Sequence, residues 1–229
     1  MSTKNKIYIF SIILALYSSN INAQVNIGID AGTTSNKLNY KTNNILLGQK
    51  SGYITNINVE YALNKWLSLE GSTGAIQKNY SISNKSNISQ QINNTYLQFP
   101  ISIKHCINVI RRLNASVSLG VYYAYWISSN TEGVAPNVFD LSNNKDGTEL
   151  IKLQSIKYPY QFDSSKDNRN EFGYVVKAGF NYKIISRVEI SIRAHYYQSI
   201  TDQQKKMQKP QNGRYNQTFA VTAGLTYHF

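Results

Sequence analysis

The chain ends with the stretch 219–229, FAVTAGLTYHF, in which apolar residues alternate with small or polar ones from Phe219 to Phe229. A period of two places successive side chains on opposite faces of a β-strand. Chain ends are usually frayed and polar. This stretch therefore predicts a regular strand that continues to the last residue.

Seven further segments alternate in the same way and predict seven more strands. They are QVNIGIDAG (24–32), YITNINVEYAL (53–63), WLSLEGSTGAIQKNYSI (66–82), TYLQFPISIKH (95–105), LNASVSLGVYYAYWI (113–127), NEFGYVVKAGFNY (170–182) and VEISIRAHYYQ (188–198). Pro100 interrupts the fourth of these segments, and proline within a strand predicts a sheet edge or a bulge.

The connections between the eight segments alternate between short and long. The short ones are LNKW (63–66), CINVIRR (106–112) and KIISR (183–187); the long, polar ones are 33–52, 83–93, 128–168 and 199–214. All short turns then lie at one end of an antiparallel sheet and all long loops at the other. This is typical of outer-membrane barrels, which have short periplasmic turns and longer extracellular loops.

Alternation alone does not decide which face of each strand is inside. A soluble barrel turns its apolar face inward, whereas a membrane barrel turns it toward lipid. Aromatic residues near both ends of the segments favour the membrane barrel, because such residues form girdles at the two interfaces. The expected aromatics are Tyr61, Trp66, Tyr182, Tyr227 and Phe229 at the short-turn end, and Tyr53, Tyr80, Tyr123, Tyr125, Trp126, Phe172, Tyr196 and Tyr215 at the long-loop end. We therefore predict an all-β fold, an eight-stranded antiparallel up-and-down transmembrane β-barrel.

The polar faces of the segments carry charged residues of both signs. An eight-stranded interior is just wide enough to be filled by side chains, and buried charges must be paired. We therefore expect a lumenal network of ion pairs and hydrogen bonds that plugs the barrel. Its members are Asp30, Glu60, Glu70, Lys104, Lys177, Glu189 and Arg193.

The first 23 residues have the pattern of a secretory signal peptide. Lys4 and Lys6 precede an apolar run from Ile7 to Tyr17, and small or polar residues follow as far as Ala23. We expect residues 1–23 to be removed and residues 24–229 to form one outer-membrane barrel domain. Loss of the two lysines lowers the formal net charge from +12 to +10.

A net charge of +12 raises the question of an anionic partner. The basic residues are scattered and no nucleic-acid-binding motif is present, so we expect no nucleic-acid partner. The last long loop is locally basic and would suit lipopolysaccharide phosphates, although a solvated loop explains it as well. Its basic residues are Lys205, Lys206, Lys209 and Arg214.

No pattern in the sequence predicts a cofactor, a metal site or a catalytic centre. A barrel hydrolase would need a histidine beside a nucleophile or a carboxylate. His195 lies on a polar face, but no Ser or Asp partner is recognisable near it in the sequence. We therefore expect a non-enzymatic protein.

The chain resembles the PorT-type small barrels of Bacteroidetes-type bacteria, also described as the outer membrane protein beta-barrel domain. The resemblance covers the mature chain and rests on the leader ending NA before Gln24, and on NIGIDAG (26–32), VEYALNKWLSLEGS (59–72), TYLQFPISIK (95–104), GYVVKAGFNYKI (173–184) and GLTYHF (224–229). It implies a location in the cell outer membrane. In such barrels an aromatic carboxyl terminus resembles the signal that the barrel-assembly machinery reads, which here would be Phe229 and, more weakly, Tyr227.

Three functions remain open at this point. The first is a monomeric outer-membrane barrel with a structural, envelope-interaction or secretion-accessory role, in contact with outer-membrane lipid and lipopolysaccharide. The second is a soluble periplasmic β-barrel that binds an apolar ligand. The third is an outer-membrane barrel hydrolase.

Overall fold

The computed structural model describes residues 25–40, 46–83, 89–143, 149–205 and 212–229, and leaves the side chains of residues 135–143 and 149–152 undescribed. The candidate signal peptide, residues 1–23, lies outside the described residues. Within the described residues, no helix is long and apolar enough to cross a membrane.

The described part of the chain forms ten antiparallel strands in one sheet. They are β1 (Val25–Asn39), β2 (Leu46–Ala62), β3 (Leu67–Gln77), β4 (Tyr80–Ser83), β5 (Ser89–Ile110), β6 (Leu113–Asn143), β7 (Glu149–Pro159), β8 (Asn170–Ile185), β9 (Val188–Ser199) and β10 (Tyr215–His228). Each of the eight segments predicted from the sequence lies largely within one of these strands.

Eight of the ten strands close into a ring in the order β1-β2-β3-β5-β6-β8-β9-β10 and back to β1. The remaining two extend the wall at the long-loop end. β4 lies between β2 and β5 beyond the end of β3, and β7 pairs with β6. The prediction of an eight-stranded up-and-down barrel is confirmed.

The first and last strands, β1 and β10, close the ring against each other. β10 pairs with β1 from Asn26↔His228 to Asn39↔Tyr215, so the opening NIGIDAG segment lies beside the terminal strand. The backbone N–H of Phe229 also donates to the carbonyl oxygen of Val25 at 3.3 Å. The closure removes the exposed edges from the eight strands of the ring, whereas β7 pairs on one side only.

Parts of the expected long loops are strands instead. The expected loop 128–168 contains the end of β6 and all of β7, and the expected loop 33–52 contains the ends of β1 and β2. Alternation does not mark these extensions because their buried inward rows mix polar residues, such as Thr34 and Asn36, with apolar ones, such as Leu38, so no apolar and polar period of two appears. The prediction of unstructured loops over these residues is therefore wrong.

The apolar rows of the strands point outward and the polar rows inward. On β1, Ile29 is 60% exposed while its neighbour Asp30 is 5% exposed; on β8, Phe180 is 58% exposed and Lys177 is 4% exposed. A soluble barrel would have the opposite arrangement. The alternative of a soluble periplasmic barrel is therefore wrong.

Aromatic side chains lie on the outer wall near both ends of this apolar surface. Tyr53 and Tyr61 on β2 are both outward and exposed. The stretch that they bound is close to the about 9–11 residues that a tilted strand needs to cross a membrane. Tyr80 and Trp126, expected in the girdle, are instead 6% and 5% exposed inside the barrel. For these two residues the girdle prediction is wrong, since they sit on the inward row.

Pro100 lies within β5, an internal strand of the ring, so it does not mark an edge. On the β6 side it pairs with Tyr122 without a register shift. On the β3 side the pairs Gly71↔Ile101 and Gly74↔Gln98 flank a break in the ladder that includes Pro100. Pro100 has no backbone N–H to donate, and a local gap in the β3–β5 pairing accommodates it instead of a bulge.

Candidate functional sites in the barrel interior and at its mouth

Glu70 is the centre of a charged cluster in the lumen. The Lys177 Nζ donates to Glu70 Oε1 at 2.5 Å, and the Arg193 Nη1 donates to Glu70 Oε2 at 3.2 Å. All three residues are at most 5% exposed. Three strands of the ring, β3, β8 and β9, contribute to this group, which we name the Glu70 cluster. It joins β3 to β8 and β9, although β3 pairs with neither of these strands.

A second ion pair lies closer to the short-turn end. Lys104 Nζ is 2.7 Å from Glu60 Oε2, and the Ser68 hydroxyl donates to Glu60 Oε1 at 2.6 Å. The pair joins β2 and β5 through the intervening β3. Side chains of opposite sign thus compensate each other where water is excluded.

The remaining two predicted network residues have different partners. Asp30 accepts hydrogen bonds from Asn56 Nδ2 at 2.8 Å and Asn58 Nδ2 at 2.6 Å. Glu189 Oε2 lies 3.6 Å from His228 Nε2. The structure therefore places all seven predicted residues on the inward faces, but in four separate groups rather than one continuous network.

His195 lies in the lumen above the Glu70 cluster and is 1% exposed. Its Nε2 is 2.9 Å from Thr222 Oγ1, and its Nδ1 is 3.4 Å from the Tyr197 hydroxyl. Gln98 extends this layer, with its Nε2 3.0 Å from Asn56 Oδ1 and 3.5 Å from the Tyr197 hydroxyl. The described hydrogen-bond partners of His195 include neither a serine nor a carboxylate.

A further charged group, which is not among the predicted residues, fills the upper lumen. Lys78, 0% exposed, forms an ion pair with Glu171, 5% exposed. Glu171 also accepts hydrogen bonds from Tyr122 OH and Asn216 Nδ2, each at 2.7 Å. The Lys78 ammonium lies over the rings of Tyr122 and Tyr96 at 4.6 and 5.1 Å. We name this group the Lys78 cluster.

The sequence held one signal for this cluster. Glu171 occupies the polar face of its segment, opposite Phe172. The sequence did not indicate the orientation of Lys78, because this residue follows a Gly- and Thr-rich part of the third segment where alternation is weak. It also falls in the two-residue interval between β3 and β4, so a period of two could not assign its face.

Aromatic side chains pack together at the mouth of the barrel. Trp126 stacks between Tyr96 and Tyr160, with ring centroids 5.8 and 6.1 Å away. Phe162 packs edge-on against Trp126 at 4.9 Å. The segment that follows β7 is thereby held over the opening.

Polar contacts fix the same segment. The Tyr160 hydroxyl donates to Asp167 Oδ1 at 3.0 Å, and the Asp163 backbone N–H donates to Asp167 Oδ2 at 2.7 Å. Burial, followed by the bond to Asp167, raises the pKa of Tyr160 to about 12. The Tyr160 hydroxyl therefore keeps its proton, and its bond, at neutral pH.

The basic residues expected at the rim have different surroundings. Lys205 is exposed, and its Nζ donates to the Ser164 carbonyl oxygen at 2.7 Å. Arg214 is half-buried with its guanidinium 4.7 Å from the centre of the Tyr40 ring. Lys206 and Lys209 lie outside the described residues. The structure thus does not bring Arg214 to the same exposed surface as Lys205.

The two residues expected to form an assembly signal lie on the outer wall at the short-turn end. Tyr227 is 39% exposed and Phe229 is 66% exposed. Their rings meet edge to face with centroids 4.9 Å apart, and the Tyr227 hydroxyl accepts a hydrogen bond from Arg187 at 3.3 Å. Both aromatic rings are thus presented outward at the end of the closing strand.

Among the described residues, no group of three or more His, Cys, Asp or Glu side chains is arranged to hold a metal ion.

The outward apolar wall, the paired charges inside and the closed ring define an outer-membrane β-barrel. A model of the family described as "Outer membrane protein beta-barrel domain" matches residues 15–204, and the chain belongs to this family. Its location is the cell outer membrane. The short-turn end therefore faces the periplasm and the long-loop end faces the exterior. The broad resemblance drawn from the sequence is confirmed, and its PorT-specific part stays a prediction.

The chain is similar to solved structures of other outer-membrane proteins at low sequence identity. The protease OmpT from Escherichia coli is 14% identical, with 90% of this chain and 97% of that chain covered and a TM-score of 0.52. OprG from Pseudomonas aeruginosa is 10% identical, with 90% and 96% covered and a TM-score of 0.48. Ail from Yersinia pestis, in complex with the heparin analogue sucrose octasulfate, is 12% identical, with 90% and 99% covered and a TM-score of 0.41. No curated protein matches the sequence.

Proposed function

We propose that the protein is a non-enzymatic outer-membrane barrel with a lumen closed to ions, and that it has a structural, envelope-interaction or secretion-accessory role. The observation that carries this proposal is the filling of the lumen by layers of paired side chains. Three layers follow one another along the barrel: the Glu70 cluster, the group of His195, Tyr197 and Gln98, and the Lys78 cluster. Their central residues are nearly inaccessible to solvent.

The geometry of the barrel supports the closed lumen. Eight strands enclose a space that side chains alone can fill. Here the filling groups are large, since Tyr96 and Tyr197 are 1% and 0% exposed. The charges among them lie against opposite charges, because Glu70 contacts Lys177 and Arg193 and Lys78 contacts Glu171. An open path would require these pairs to separate in a region without water, which is costly.

Planar-bilayer recording tests the closed lumen. The purified, refolded full chain is added to the bilayer, and a porin added afterwards to the same membrane serves as the positive control. We expect no steady conductance from the wild-type barrel. Large, sustained channels from the wild-type protein would overturn the proposal.

The environment of His195 supports a non-enzymatic role. A histidine base normally activates a nucleophile and is oriented by a third group. His195 contacts Thr222 and Tyr197 in a region without access to a substrate in solution. Hydrolysis of outer-membrane lipid or of peptide by the pure protein, lost in His195→Asn, would overturn this part of the proposal.

We also propose that the protein contacts lipopolysaccharide through its basic loop, without a cofactor, and that it acts as a monomer. The exposed Lys205 and its sequence neighbours Lys206 and Lys209 would meet lipid phosphates at the outer leaflet. Replacing the three lysines by glutamine should reduce binding of the detergent-purified barrel to immobilised lipopolysaccharide and make the residual binding less salt-dependent. Unchanged binding would indicate that the loop is only solvated.

The secretion-accessory role rests on the resemblance to PorT-type barrels. It is tested by deleting the gene in its native host and measuring the proteins released into the medium. A secretion defect that the wild-type gene restores would support this role, and normal secretion would leave the structural or envelope-interaction role as the proposal.

A further inference from the structure

A cavity of about 190 Å³ lies at the extracellular mouth, above the Lys78 cluster. Its aromatic lining comes from Tyr80, Trp126, Tyr158 and Tyr160. Tyr80 and Trp126 are buried, whereas Tyr158 and Tyr160 are 46% and 38% exposed. The cavity therefore has a fixed inner wall and a rim that meets the exterior.

The cavity also contains a cation without a described acceptor. Arg214 is among the lining residues, and its guanidinium lies over the Tyr40 ring. No oxygen of the described residues accepts a hydrogen bond from this guanidinium, and its Nε is buried without any partner. A guanidinium presents five donors in a planar fork, so Arg214 is a positioned donor that no acceptor in the described part of the chain uses.

The remaining lining leaves the cavity without a net charge. Asp167 balances the charge of Arg214, and two of its lone pairs are already used by Tyr160 and by the Asp163 backbone. The side chains of Gln90 and Gln204 add amides at the same opening. One cation, one anion and neutral amides favour an uncharged ligand with several hydroxyl groups over an anion.

We propose that this cavity binds a single neutral sugar ring, such as the terminal residue of an extracellular glycan. The exposed rings of Tyr158 and Tyr160 offer apolar surface to the C–H side of a sugar, while Arg214, the carboxylate of Asp167 and the amides match its hydroxyl groups. The volume equals that of about six liquid waters and is smaller than the about 300–1,000 Å³ of pockets for larger organic ligands. This site goes beyond the proposed envelope role and does not depend on whether the lumen conducts ions.

Tryptophan fluorescence provides a direct test, because the chain has two tryptophans at opposite ends. Trp126 lines the cavity, and Trp66 is exposed at the periplasmic end. In Trp66→Phe the emission reports on Trp126 alone. The probes are the methyl glycosides of glucose, galactose, mannose and N-acetylglucosamine, with methyl glucuronide as an anionic comparison. The full-length barrel in detergent is titrated with each.

We expect at least one neutral glycoside to change the Trp126 emission saturably. Arg214→Gln should weaken that binding about tenfold or more, as expected for loss of a hydrogen bond to a charged group. Tyr158→Ala, which removes an exposed wall of the cavity, should weaken it as well. Arg187→Gln makes the same chemical change at the periplasmic end and should leave the affinity unchanged.

Three results would overturn the proposal. The first is the absence of a saturable change with all four neutral glycosides. The second is wild-type affinity in both Arg214→Gln and Tyr158→Ala, each shown to be folded by its heat-dependent gel shift. The third is tighter binding of methyl glucuronide than of every neutral glycoside.

Discussion

Glu70 on β3 and Lys177 on β8 form an ion pair inside the barrel, although they are 107 residues apart and their strands are not neighbours. Arg193 on β9 shares the same carboxylate. One acidic side chain thus links β3 to the β8–β9 hairpin on another part of the ring. Such a contact forms only when the ring is closed, so it reports on the complete barrel rather than on any hairpin.

Removing the charge of Glu70 should strongly destabilise the barrel. Glu70→Gln leaves Lys177 and Arg193 as uncompensated buried cations, and breaking a buried pair in this way typically costs about 3–5 kcal/mol. The free energy of unfolding in urea, measured with the protein in lipid vesicles, tests this expectation.

An exposed ion pair provides the matched control for this variant. Glu132 pairs with Lys157 at 2.9 Å on the extracellular surface, where both side chains are well exposed. Glu132→Gln should change the unfolding free energy far less than Glu70→Gln does, because solvent screens an exposed pair. Similar losses in Glu70→Gln and Glu132→Gln would contradict a structural role for the Glu70 cluster.

Deleting Phe229 should impair assembly in the outer membrane. The residue places an aromatic ring on the outer wall beside Tyr227, and its backbone N–H bonds to Val25 at the closing seam. We expect the amount of heat-modifiable barrel in outer-membrane fractions to fall several-fold.

Phe229→Tyr is the control that keeps both the terminal aromatic ring and the chain length. It should assemble at wild-type levels. Normal outer-membrane levels of the truncated chain would show that assembly does not depend on Phe229.

Two glycines of β3 should respond differently to the same substitution. A Cβ at Gly74 would lie 1.9 Å from the Thr55 carbonyl oxygen on β2, whereas a Cβ at Gly71 has no heavy atom within 4 Å. Gly74→Ala should therefore force the wall apart and destabilise the barrel by about 1–3 kcal/mol or more. Gly71→Ala should be nearly neutral, and equal losses in the two variants, measured in the same urea assay, would refute the close approach of β2 and β3.

Alkaline pH should loosen the segment over the mouth. The pKa of Tyr160 is raised to about 12, against an ordinary value of 10.0. Because the pKa of Tyr160 is higher in the folded state, the contribution of its protonated hydroxyl to stability is complete below about pH 10. That contribution is lost as the pH rises to about 12. The Trp126 emission of the Trp66→Phe variant should shift to the red across this interval, because Trp126 stacks on Tyr160.

Tyr160→Phe is the control for the alkaline transition. It retains the ring that stacks on Trp126 but has no proton to lose. An unchanged alkaline shift in this variant would assign the transition to another group.

The sequence allowed the strand faces to be predicted well, and the interior contacts poorly. Alternation placed Asp30, Glu70 and Lys177 on inward rows, where the structure has them. It could not indicate that Asp30 meets two asparagines while Glu70 meets two cations. Those choices depend on the stagger between strands, which a period of two leaves open.

The mouth was the least predictable region. Tyr80 and Trp126 were expected on the outer wall because aromatics near strand ends are typical of interfacial girdles. They lie inside because their strands continue beyond the membrane, where the inward row is lined by aromatic packing. The same extensions create the cavity beside Arg214, a residue that the sequence associated with an exposed basic loop.

The sequence by itself determined the strands, their inward and outward rows and the membrane barrel, because these follow from a local period of two and from the order of turns and loops. Only the tertiary structure decided which charges pair, how the Lys78 cluster fills the upper lumen and how the mouth is shaped. Each of those features joins residues that are distant in the chain, and their distances are fixed only when β10 closes against β1.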